Sequence, residues 1–336
     1  MSQPQARTVG FKRGERNVFF HVLTACNLSC RHCYINPKEH GTEMVSKENM
    51  IEWLKLFQDE SKETNVIFLG GEPTMHPDLP HAIRVAKKLG YSSVTVDTNG
   101  FLFHDFLERV NPSDLDFLSF SLDGPDPEVN DALRGRGVFE TCSKNLQAAI
   151  AAGFNVSLIY TVSRYNIEHL QKMVPLLVKW GVKRFFIQVI GIRGKTALNG
   201  AEKWQITSEE WLREIPRVAS DAAAHGITTI FPKVFLEPGE KFECAGRVAE
   251  NYFIFPNGRV YQCPLCEDYP INRYRIEENR LVGNSGFTET KLFSLDIPEG
   301  CVISKLLQPE NLSYDATGKP VYRISCCLLK QEMSSG

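Results

Sequence analysis

The feature that most constrains the fold is an alternation of two kinds of segment between residues 17 and 224 of this 336-residue chain. Short apolar runs rich in β-branched and aromatic residues alternate with longer stretches in which apolar residues recur every three or four positions, the spacing of an amphipathic helix. The predicted strands are Val18–Leu23, Val66–Leu69, Ser93–Val96, Phe117–Ser121, Asn155–Val162 and Arg184–Ile190. The predicted helices are Ser46–Gln58, Leu79–Leu89, Phe103–Val110, Phe139–Ala152, Ile167–Trp180 and Ser208–His225.

Six strand–helix units in series predict an α/β fold with a parallel sheet and right-handed crossovers. Because a closed TIM barrel has eight such units, we expect a partial (β/α)6 TIM-like barrel. Polar or glycine-containing segments follow the first four predicted strands: "TACNLSC", "GGEPT", "DTNG" and "SLDGP". In a barrel these loops meet at the carboxyl-terminal mouth, where ligands bind.

The pattern changes after about residue 230. The segment "NYFIFPNGRVYQC" contains two apolar runs around Asn257-Gly258, which predicts a β-hairpin. Residues 268–318 lack long periodicity. We therefore predict an N-terminal arm over residues 1–16, a barrel over 17–230, and a small irregular α+β C-terminal domain with a β-hairpin over 231–336.

The charge and apolar pattern exclude some classes of partner from our expectation. The net charge of −2 gives no indication of nucleic acid or of a membrane surface. No apolar run reaches transmembrane length, and the first sixteen residues lack the apolar core of a signal peptide. We expect a cytoplasmic protein with no nucleic-acid or membrane partner. In a reducing compartment its ten cysteines favour metal, cluster or catalytic roles over disulfides.

Three cysteines with C-x3-C-x2-C spacing, Cys26, Cys30 and Cys33, follow the first predicted strand. Thiolates this close together suit an iron–sulfur cluster or zinc. Structural zinc usually has four ligands, and the local set stops at three, although His32 lies inside the loop. A cubane on three cysteines leaves one iron with an open coordination position, where chemistry can occur. A surface zinc loop or idle thiols is the alternative interpretation.

These cysteines, followed by "GGEPT" at Gly70–Thr74 and by "SLDG" at Ser121–Gly124 with "LRGRGVF" at Leu133–Phe139, resemble the motifs of the radical SAM enzyme superfamily. The resemblance covers about residues 17–191. It implies that the three cysteines hold a [4Fe–4S] cluster whose remaining iron binds S-adenosylmethionine (SAM). It also implies a set of SAM contacts: His32 beside the adenine, Gly70, Gly71 and Glu72 at the amino group, Ser121 and Arg134 at the ribose and carboxylate, and Asp123 and Ile190 as further contacts.

The chemistry of these residues agrees with that assignment. Gly70 and Gly71 allow close backbone approach, and Glu72 offers a negative charge to an ammonium. Arg134 offers a planar fork to a carboxylate. Each motif alone is weak, because "GGEP" also fits a plain turn and Arg134 also fits a solvated surface charge. The order of the motifs, each after a predicted strand, supports the assignment.

Six further cysteines lie in the last hundred residues: Cys244, Cys263, Cys266, Cys301, Cys326 and Cys327. Their positions around the predicted hairpin resemble the SPASM/twitch extension of several radical SAM subfamilies. That resemblance implies an auxiliary [4Fe–4S] cluster on Cys244, Cys263 and Cys266, closed by Cys326 or Cys327. Six cysteines are too few for two cysteine-ligated clusters, so we expect one. Which of Cys301, Cys326 and Cys327 closes it stays open, and structural zinc or unligated thiols are the alternatives. Cys142, on a predicted helix, reads as a buried small hydrophobe.

The resemblance implies a radical SAM enzyme, of oxidoreductase or maturase type, that cleaves SAM reductively to a 5′-deoxyadenosyl radical and abstracts hydrogen from its substrate. The reductant would be a protein such as flavodoxin or ferredoxin. We expect net oxidation or rearrangement of a small molecule, assisted by the auxiliary cluster. About sixteen residues precede the first predicted strand, too few for a peptide-recognition domain, so a peptide would need a separate presenting partner.

Two alternatives remain: a radical SAM peptide or protein maturase, and, from another class, a non-enzymatic iron–sulfur or zinc protein for electron transfer or binding. Gln188 and Arg193, near the end of the last predicted strand, are candidate substrate contacts or simply satisfied polar residues at the rim. No residue is assigned as a proton acceptor.

Overall fold

The computed structural model describes residues 6–103, 105–198, 200 and 203–335. The first five residues of the predicted arm and residue 104 of the predicted helix at 103–110 lie outside these ranges. The strands are β1 (Arg7–Val9), β2 (Glu15–His21), β3 (Glu63–Leu69), β4 (Ser93–Thr98), β5 (Phe117–Ser121), β6 (Val156–Val162), β7 (Arg184–Val189), β8 (Thr228–Pro232), β9 (Phe235–Leu236), β10 (Glu250–Ile254), β11 (Arg259–Tyr261), β12 (Tyr274–Glu277), β13 (Arg280–Gly283), β14 (Arg323–Ile324) and β15 (Lys330–Met333).

The α-helices are α1 (Pro37–His40), α2 (Lys47–Phe57), α3 (Leu79–Lys88), α4 (Phe106–Arg109), α5 (Pro127–Arg134), α6 (Val138–Ala151), α7 (Met173–Trp180), α8 (Lys195–Leu198), α9 (Ser208–Ala224), α10 (Ala245–Val248), α11 (Thr290–Phe293) and α12 (Val302–Leu307). Short 3-10 helices occupy Pro73–Met75, Pro112–Asp114, Ile167–Lys172, Pro264–Cys266 and Pro309–Asn311. Within the described part of the chain, no helix combines the length and apolarity needed to cross a membrane.

Thirteen strands form one sheet in the order β1-β15-β8-β7-β6-β5-β4-β3-β2-β10-β11-β12-β13. Strands β2 to β8 run parallel to one another in chain order. All six predicted strands are present, and β8 adds a seventh parallel strand that the sequence pattern did not predict. The sheet ends at β1 and β13, so the expected α/β fold with an incomplete barrel is confirmed.

Most predicted helices are present, with two differences. The segment at 103–110 contains only the single turn α4, and the segment at 167–180 begins as a 3-10 helix before α7. Helix α5 was not predicted, because "PDPEVN" reads as a loop in the sequence. It forms because the Asp126 side chain accepts a hydrogen bond from the Val129 amide and Pro127 occupies the first turn. Helix α5 matters for function because Arg134 is its last residue.

The two faces of the parallel sheet have different surroundings. The Phe20 ring lies 5.8 Å from the Trp53 ring of α2, and the Phe120 ring lies 5.4 Å from that of Phe103, just before α4. This face therefore packs on the helices, and each buried phenylalanine contributes about 1.5–3 kcal/mol of burial free energy. Because successive side chains of a strand alternate between faces, the neighbours of these residues point into the barrel.

The C-terminal segment continues the barrel sheet at both ends. The predicted hairpin is β10–β11, and Gly258 in its turn has a φ of +79°. Strand β10 pairs in parallel with β2, where the rings of Phe253 and Phe19 stack at 4.3 Å. Strand β15 pairs with both β8 and β1. The sheet is thus continuous across residues 16 and 230, and the domain boundaries placed there stay a prediction.

Candidate functional site

The three cysteines lie on the loop between β2 and α1, at the carboxyl-terminal edge of the parallel sheet. Cys26 is exposed, whereas Cys30 and Cys33 are half-buried. The Cys30 thiol lies 3.9 Å from the main-chain carbonyl oxygen of Arg134, to which it donates. Burial raises the pKa of the Cys30 thiol, and the charge of Arg134 acts against that rise. The loop and the end of α5 therefore form one unit.

Gly70 and Gly71 approach the cysteine loop itself. The Gly71 amide donates to the carbonyl of Leu23 at 2.9 Å. A Cβ atom on Gly71 would lie 2.2 Å from the Ala25 carbonyl oxygen, and one on Gly70 would lie 2.4 Å from that of Leu23. The glycines are thus needed so that the loop after β3 can pack against the loop after β2. Their predicted contact with the SAM amino group stays a prediction.

Glu72 is buried and its carboxylate is occupied by donors from the protein. It accepts hydrogen bonds from the Thr74 hydroxyl at 2.6 Å, from the Thr98 hydroxyl at 2.7 Å and from the Asn99 amide at 2.7 Å. Burial raises the pKa of Glu72, and these bonds limit the rise. The Asn99 side chain in turn lies 3.6 Å from Cys26 Sγ. Glu72 therefore ties "GGEPT" to "DTNG" beneath the cysteines, and its contact with an ammonium stays a prediction.

Asp123 joins two of the predicted site residues. Its Oδ2 atom lies 2.6 Å from Arg134 Nε and 3.0 Å from His32 Nε2, and its Oδ1 atom accepts from the Thr161 amide at 2.8 Å. Burial alone would raise the pKa of Asp123, but the charges of Arg134 and His32 hold it below its usual range. Among the described residues, His32 Nδ1 is buried without a hydrogen-bond partner. This atom is available to a ligand, whereas Arg134 Nε is engaged by Asp123.

An apolar wall stands beside this ion pair. Leu133, Ile190 and Trp204 form one buried cluster, and the Trp204 ring lies 6.4 Å from that of His32. The sequence analysis included Ile190 but missed Trp204. No local signal identified Trp204, since it reaches the site from the segment that follows α8.

Ser121, the last residue of β5, is half-buried at the same edge of the sheet, and its predicted SAM contact stays a prediction. Cys142 of α6 is buried, as predicted, with its thiol 3.9 Å from the Ser121 carbonyl. Gln188 is exposed near the end of β7. It remains a candidate substrate contact.

Arg193 is a satisfied polar residue, the second of the two roles considered for it. Its guanidinium lies 2.7 Å from Glu267 Oε2, donates to the Pro264 carbonyl and sits 4.5 Å from the centre of the Tyr34 ring. Tyr34 follows Cys33, and Glu267 follows Cys266. Arg193 therefore links the two cysteine-bearing segments, and its own donors are in use.

The six C-terminal cysteines converge. Cys266 and Cys301 belong to one buried apolar cluster, and Cys244, Cys263 and Cys327 pack against it. Cys326, next to Cys327 in the chain, is buried. Burial, with the charges of Cys326, Cys301 and Cys266, raises the pKa of Cys244 to about 12. A hydrogen bond from Cys327 lowers the pKa of Cys326 to about 7. Cys326 is thus the member of the adjacent pair that loses its proton more readily.

Glu289 holds the turn that carries Cys263. Its carboxylate accepts from the amides of Gln262 at 2.7 Å and Cys263 at 3.0 Å. Burial raises the pKa of Glu289 to about 7. In the described ranges, no three His, Cys, Asp or Glu side chains are close enough together to hold a single metal ion.

Comparison with known proteins finds a family match within the barrel. The model of the Radical SAM superfamily matches residues 21–177. A probable GTP 3′,8-cyclase of Saccharolobus solfataricus is 30% identical over 178 residues, which are 53% of this chain and 58% of that protein. An Fe-coproporphyrin III synthase of Methanosarcina barkeri is 30% identical over 190 residues, 54% of this chain and 46% of that protein. The chain thus spans about half the length of these curated relatives.

Solved structures show the same fold at low sequence identity. Streptococcus suis SuiB bound to S-adenosylmethionine has a TM-score of 0.62 at 17% identity, covering 74% of this chain and 60% of that one. The enzyme anSMEcpe with bound AdoMet has a TM-score of 0.58 at 15% identity, covering 84% of this chain and 81% of that one.

Proposed function

Residues 21–177 match the model of the Radical SAM superfamily, and on that premise we propose that the chain is a SAM-dependent radical enzyme. When bound, a [4Fe–4S] cluster with SAM supplies a 5′-deoxyadenosyl radical that removes a hydrogen atom from the substrate. The observation that carries the proposal is the convergence of Cys26, Cys30 and Cys33 with the Asp123–Arg134 ion pair at one edge of the parallel sheet. That edge is where barrel enzymes of this kind hold their ligands.

The residues at this edge fit such a group. Three thiols on one loop are the donor set that an iron–sulfur cluster requires, and each must lose its proton on binding iron. The cationic Arg134 favours that loss at Cys30. The buried His32 Nδ1 atom, which lacks a partner in the described chain, would cost about 1–3 kcal/mol if it stayed unsatisfied. A polar ligand in the site removes that cost.

Each residue around the thiols has a role in the proposal. Arg134 binds the carboxylate of SAM through its guanidinium, and Asp123 orients both Arg134 and His32. Glu72 acts mainly as a positioning residue, because its carboxylate already accepts hydrogen bonds from two loops. The wall of Leu133, Ile190 and Trp204 suits a flat heterocycle.

We also propose one auxiliary [4Fe–4S] cluster, held by Cys244, Cys263, Cys266 and Cys326. Five of the C-terminal cysteines lie in or against one apolar cluster, and the charge of the sixth, Cys326, acts on Cys244; both observations support a shared site. Cys326 is proposed as the closing ligand because, among the neighbouring thiols, its charge acts most strongly on Cys244. A cluster with four protein thiolates would provide a one-electron acceptor inside the protein, which suits a net oxidation of the substrate.

The substrate in this proposal is a small molecule, with a reductant such as flavodoxin or ferredoxin as partner. Peptide modification is the second candidate. One observation favours it: SuiB was solved with its precursor peptide SuiA, and anSMEcpe with a Cp18Cys peptide. Both proteins share the fold, and neither likeness by itself assigns a substrate to this chain.

Iron and sulfide counts on anaerobic protein test the proposal. We expect about eight irons in the wild type, and about four after Cys26, Cys30 and Cys33 are all replaced by Ala, since each cubane holds four irons. Dithionite-reduced wild type should cleave SAM, and the triple variant should not. A triple variant that cleaves SAM normally would refute the enzyme assignment. Wild type with about four irons and triple variant with none would refute the auxiliary cluster alone.

Single replacements decide whether Cys326 or Cys327 is the fourth ligand of the auxiliary cluster. Cys326→Ser should lower the iron content to about four, whereas Cys327→Ser should leave about eight, on the same count per cubane. The reverse result would assign the cluster to Cys327. Tightly bound zinc in the triple variant would assign the C-terminal thiols to zinc instead.

A further inference from the structure

Asp97 is a carboxylate inside the barrel that the proposed SAM and cluster chemistry leaves unused. It belongs to "DTNG" on β4 and directly follows Val96. Val96 pairs with Phe68 of β3, and both are buried on the face of the sheet that packs on the helices. Asp97 therefore faces the lumen. Two residues further on, Asn99 reaches Cys26 Sγ at 3.6 Å. The Asp97 side chain thus lies one inward position below the three-cysteine loop.

Asp97 begins a polar row across three adjacent strands. It is in register with Ser119 of β5, and Ser119 is in register with Ser157 of β6. The two serine hydroxyls are 2.7 Å apart, and Ser119 hydrogen-bonds Asp97. Inward positions of such barrels are usually filled by bulky branched residues. Here three neighbouring positions hold Asp97, Ser119 and Ser157 instead, so hydrogen-bonding groups face the lumen.

The charge of Asp97 lacks a counterion. Burial raises its pKa to about 7, and the neighbouring charge that acts on it is that of another acid, Glu72. In the described part of the chain, no basic side chain forms an ion pair with Asp97. Glu72 itself is occupied by the Thr98 hydroxyl and the Asn99 amide. Asp97 therefore differs from Glu72, because the hydrogen bond found for its carboxylate among the described residues is the one from Ser119.

We propose that Asp97 is the lumen's binding residue for a cationic group of the substrate, an ammonium or a guanidinium. The proposal rests on the proposed function, since it assigns a substrate class to the same barrel. A cation placed against Asp97 would provide the counterion that the protein omits, and the Ser119 hydroxyl would support the carboxylate. A neutral substrate would leave two acids close together with no opposite charge.

The test uses four probes that share a butyl chain: n-butylammonium, n-butylguanidinium, n-butanol and n-butyrate. The thermal unfolding midpoint of the anaerobic, SAM-loaded protein is measured with each probe over a range of concentrations. We expect the two cations to raise the midpoint of the wild type and the alcohol and butyrate not to. Asp97→Asn, which keeps the shape and removes the charge, should weaken the cation effect about tenfold or more.

Asp105→Asn is the matched control, because Asp105 lies before α4 on the outer surface with 58% of its side chain exposed. It should retain the cation effect. The SAM-induced shift is recorded first for every protein and reports whether the fold and SAM site are intact. A wild type that SAM does not stabilise would refute the proposed function, whatever the probes do.

Three results would overturn the Asp97 proposal and leave the proposed function standing. One is an equal cation effect in Asp97→Asn and wild type. Another is stabilisation of the wild type by butanol or butyrate as strong as that by the cations. The third is no effect of any probe on a wild type that SAM does stabilise. The last two need no variant, so a folding defect in Asp97→Asn would not obscure them.

Discussion

Arg134 Nε lies 2.6 Å from Asp123 Oδ2, and 9% and 0% of the two side chains are exposed. The main-chain carbonyl of Arg134 accepts a hydrogen bond from the Cys30 thiol. Arg134 therefore connects the ion pair with Asp123 to a cysteine of the proposed cluster site. A buried ion pair contributes little net stability, but removing one partner leaves an uncompensated buried charge.

Asp123→Asn should therefore lower the free energy of unfolding by about 3–5 kcal/mol. Urea denaturation of anaerobic protein measures this change. Glu128→Gln, at an exposed position of α5, the helix that ends at Arg134, is the control and should stay within about 0.5 kcal/mol of the wild type. A variant at Asp123 as stable as the control would show that Arg134 finds another partner.

Gly71→Ala should displace the cysteine loop, because the added Cβ would lie 2.2 Å from the Ala25 carbonyl oxygen. We expect a loss of about 1–3 kcal/mol of stability together with a loss of iron from the N-terminal site. Denaturation and iron analysis measure the two effects. Gly10→Ala is the matched control, since a Cβ there meets nothing within 4 Å. Full iron content in Gly71→Ala would contradict the packing argument.

The contribution of Asp97 to the stability of the protein should fall as pH rises. Its pKa is raised from 3.8 to about 7 in the folded state, so the folded state binds the proton more tightly than the unfolded chain. The contribution is present below pH 3.8 and is lost as pH rises through about 7, by up to about 4 kcal/mol. Asp97→Asn should flatten this part of a plot of unfolding free energy against pH, whereas Asp105→Asn should keep it. Parallel curves for Asp97→Asn and wild type would disprove the shift.

Glu289→Gln should destabilise the turn before Cys266. The amide keeps only one acceptor oxygen where the carboxylate accepts the amides of Gln262 and Cys263. A loss of about 1–3 kcal/mol is expected, with weaker retention of C-terminal iron under chelator. Glu277→Gln on the exposed side of β12 is the control. Equal iron loss from both variants would remove Glu289 from this role.

The sequence predicted the order of strands and helices well, because periodicity and glycine stops are local signals. The short motifs that follow β2 and β5 pointed to Cys26 and Asp123, and "LRGRGVF" pointed to Arg134 at the end of α5; the roles of these residues stay predictions. Helix α5 was missed because its capping by Asp126 resembles a turn in the sequence.

Contacts between distant segments were beyond sequence reasoning. Trp204 reaches His32 from a loop more than 170 positions away in the chain, and Cys301 joins the other C-terminal thiols only through tertiary packing. The engagement of Arg193 by Glu267 likewise depends on how the C-terminal segment docks. Neither periodicity nor spacing contains that information.

The parallel pairing of β10 with β2 has a consequence for synthesis on the ribosome. One edge of β2 is covered by β3 soon after translation, but its other edge waits for Glu250–Ile254. About 230 residues separate these partners, which is about 10–50 s at ordinary elongation rates. During that time the edge of β2 carries unpaired backbone groups able to join another strand. The nascent chain therefore passes through a long aggregation-prone interval that ends only when its last third emerges.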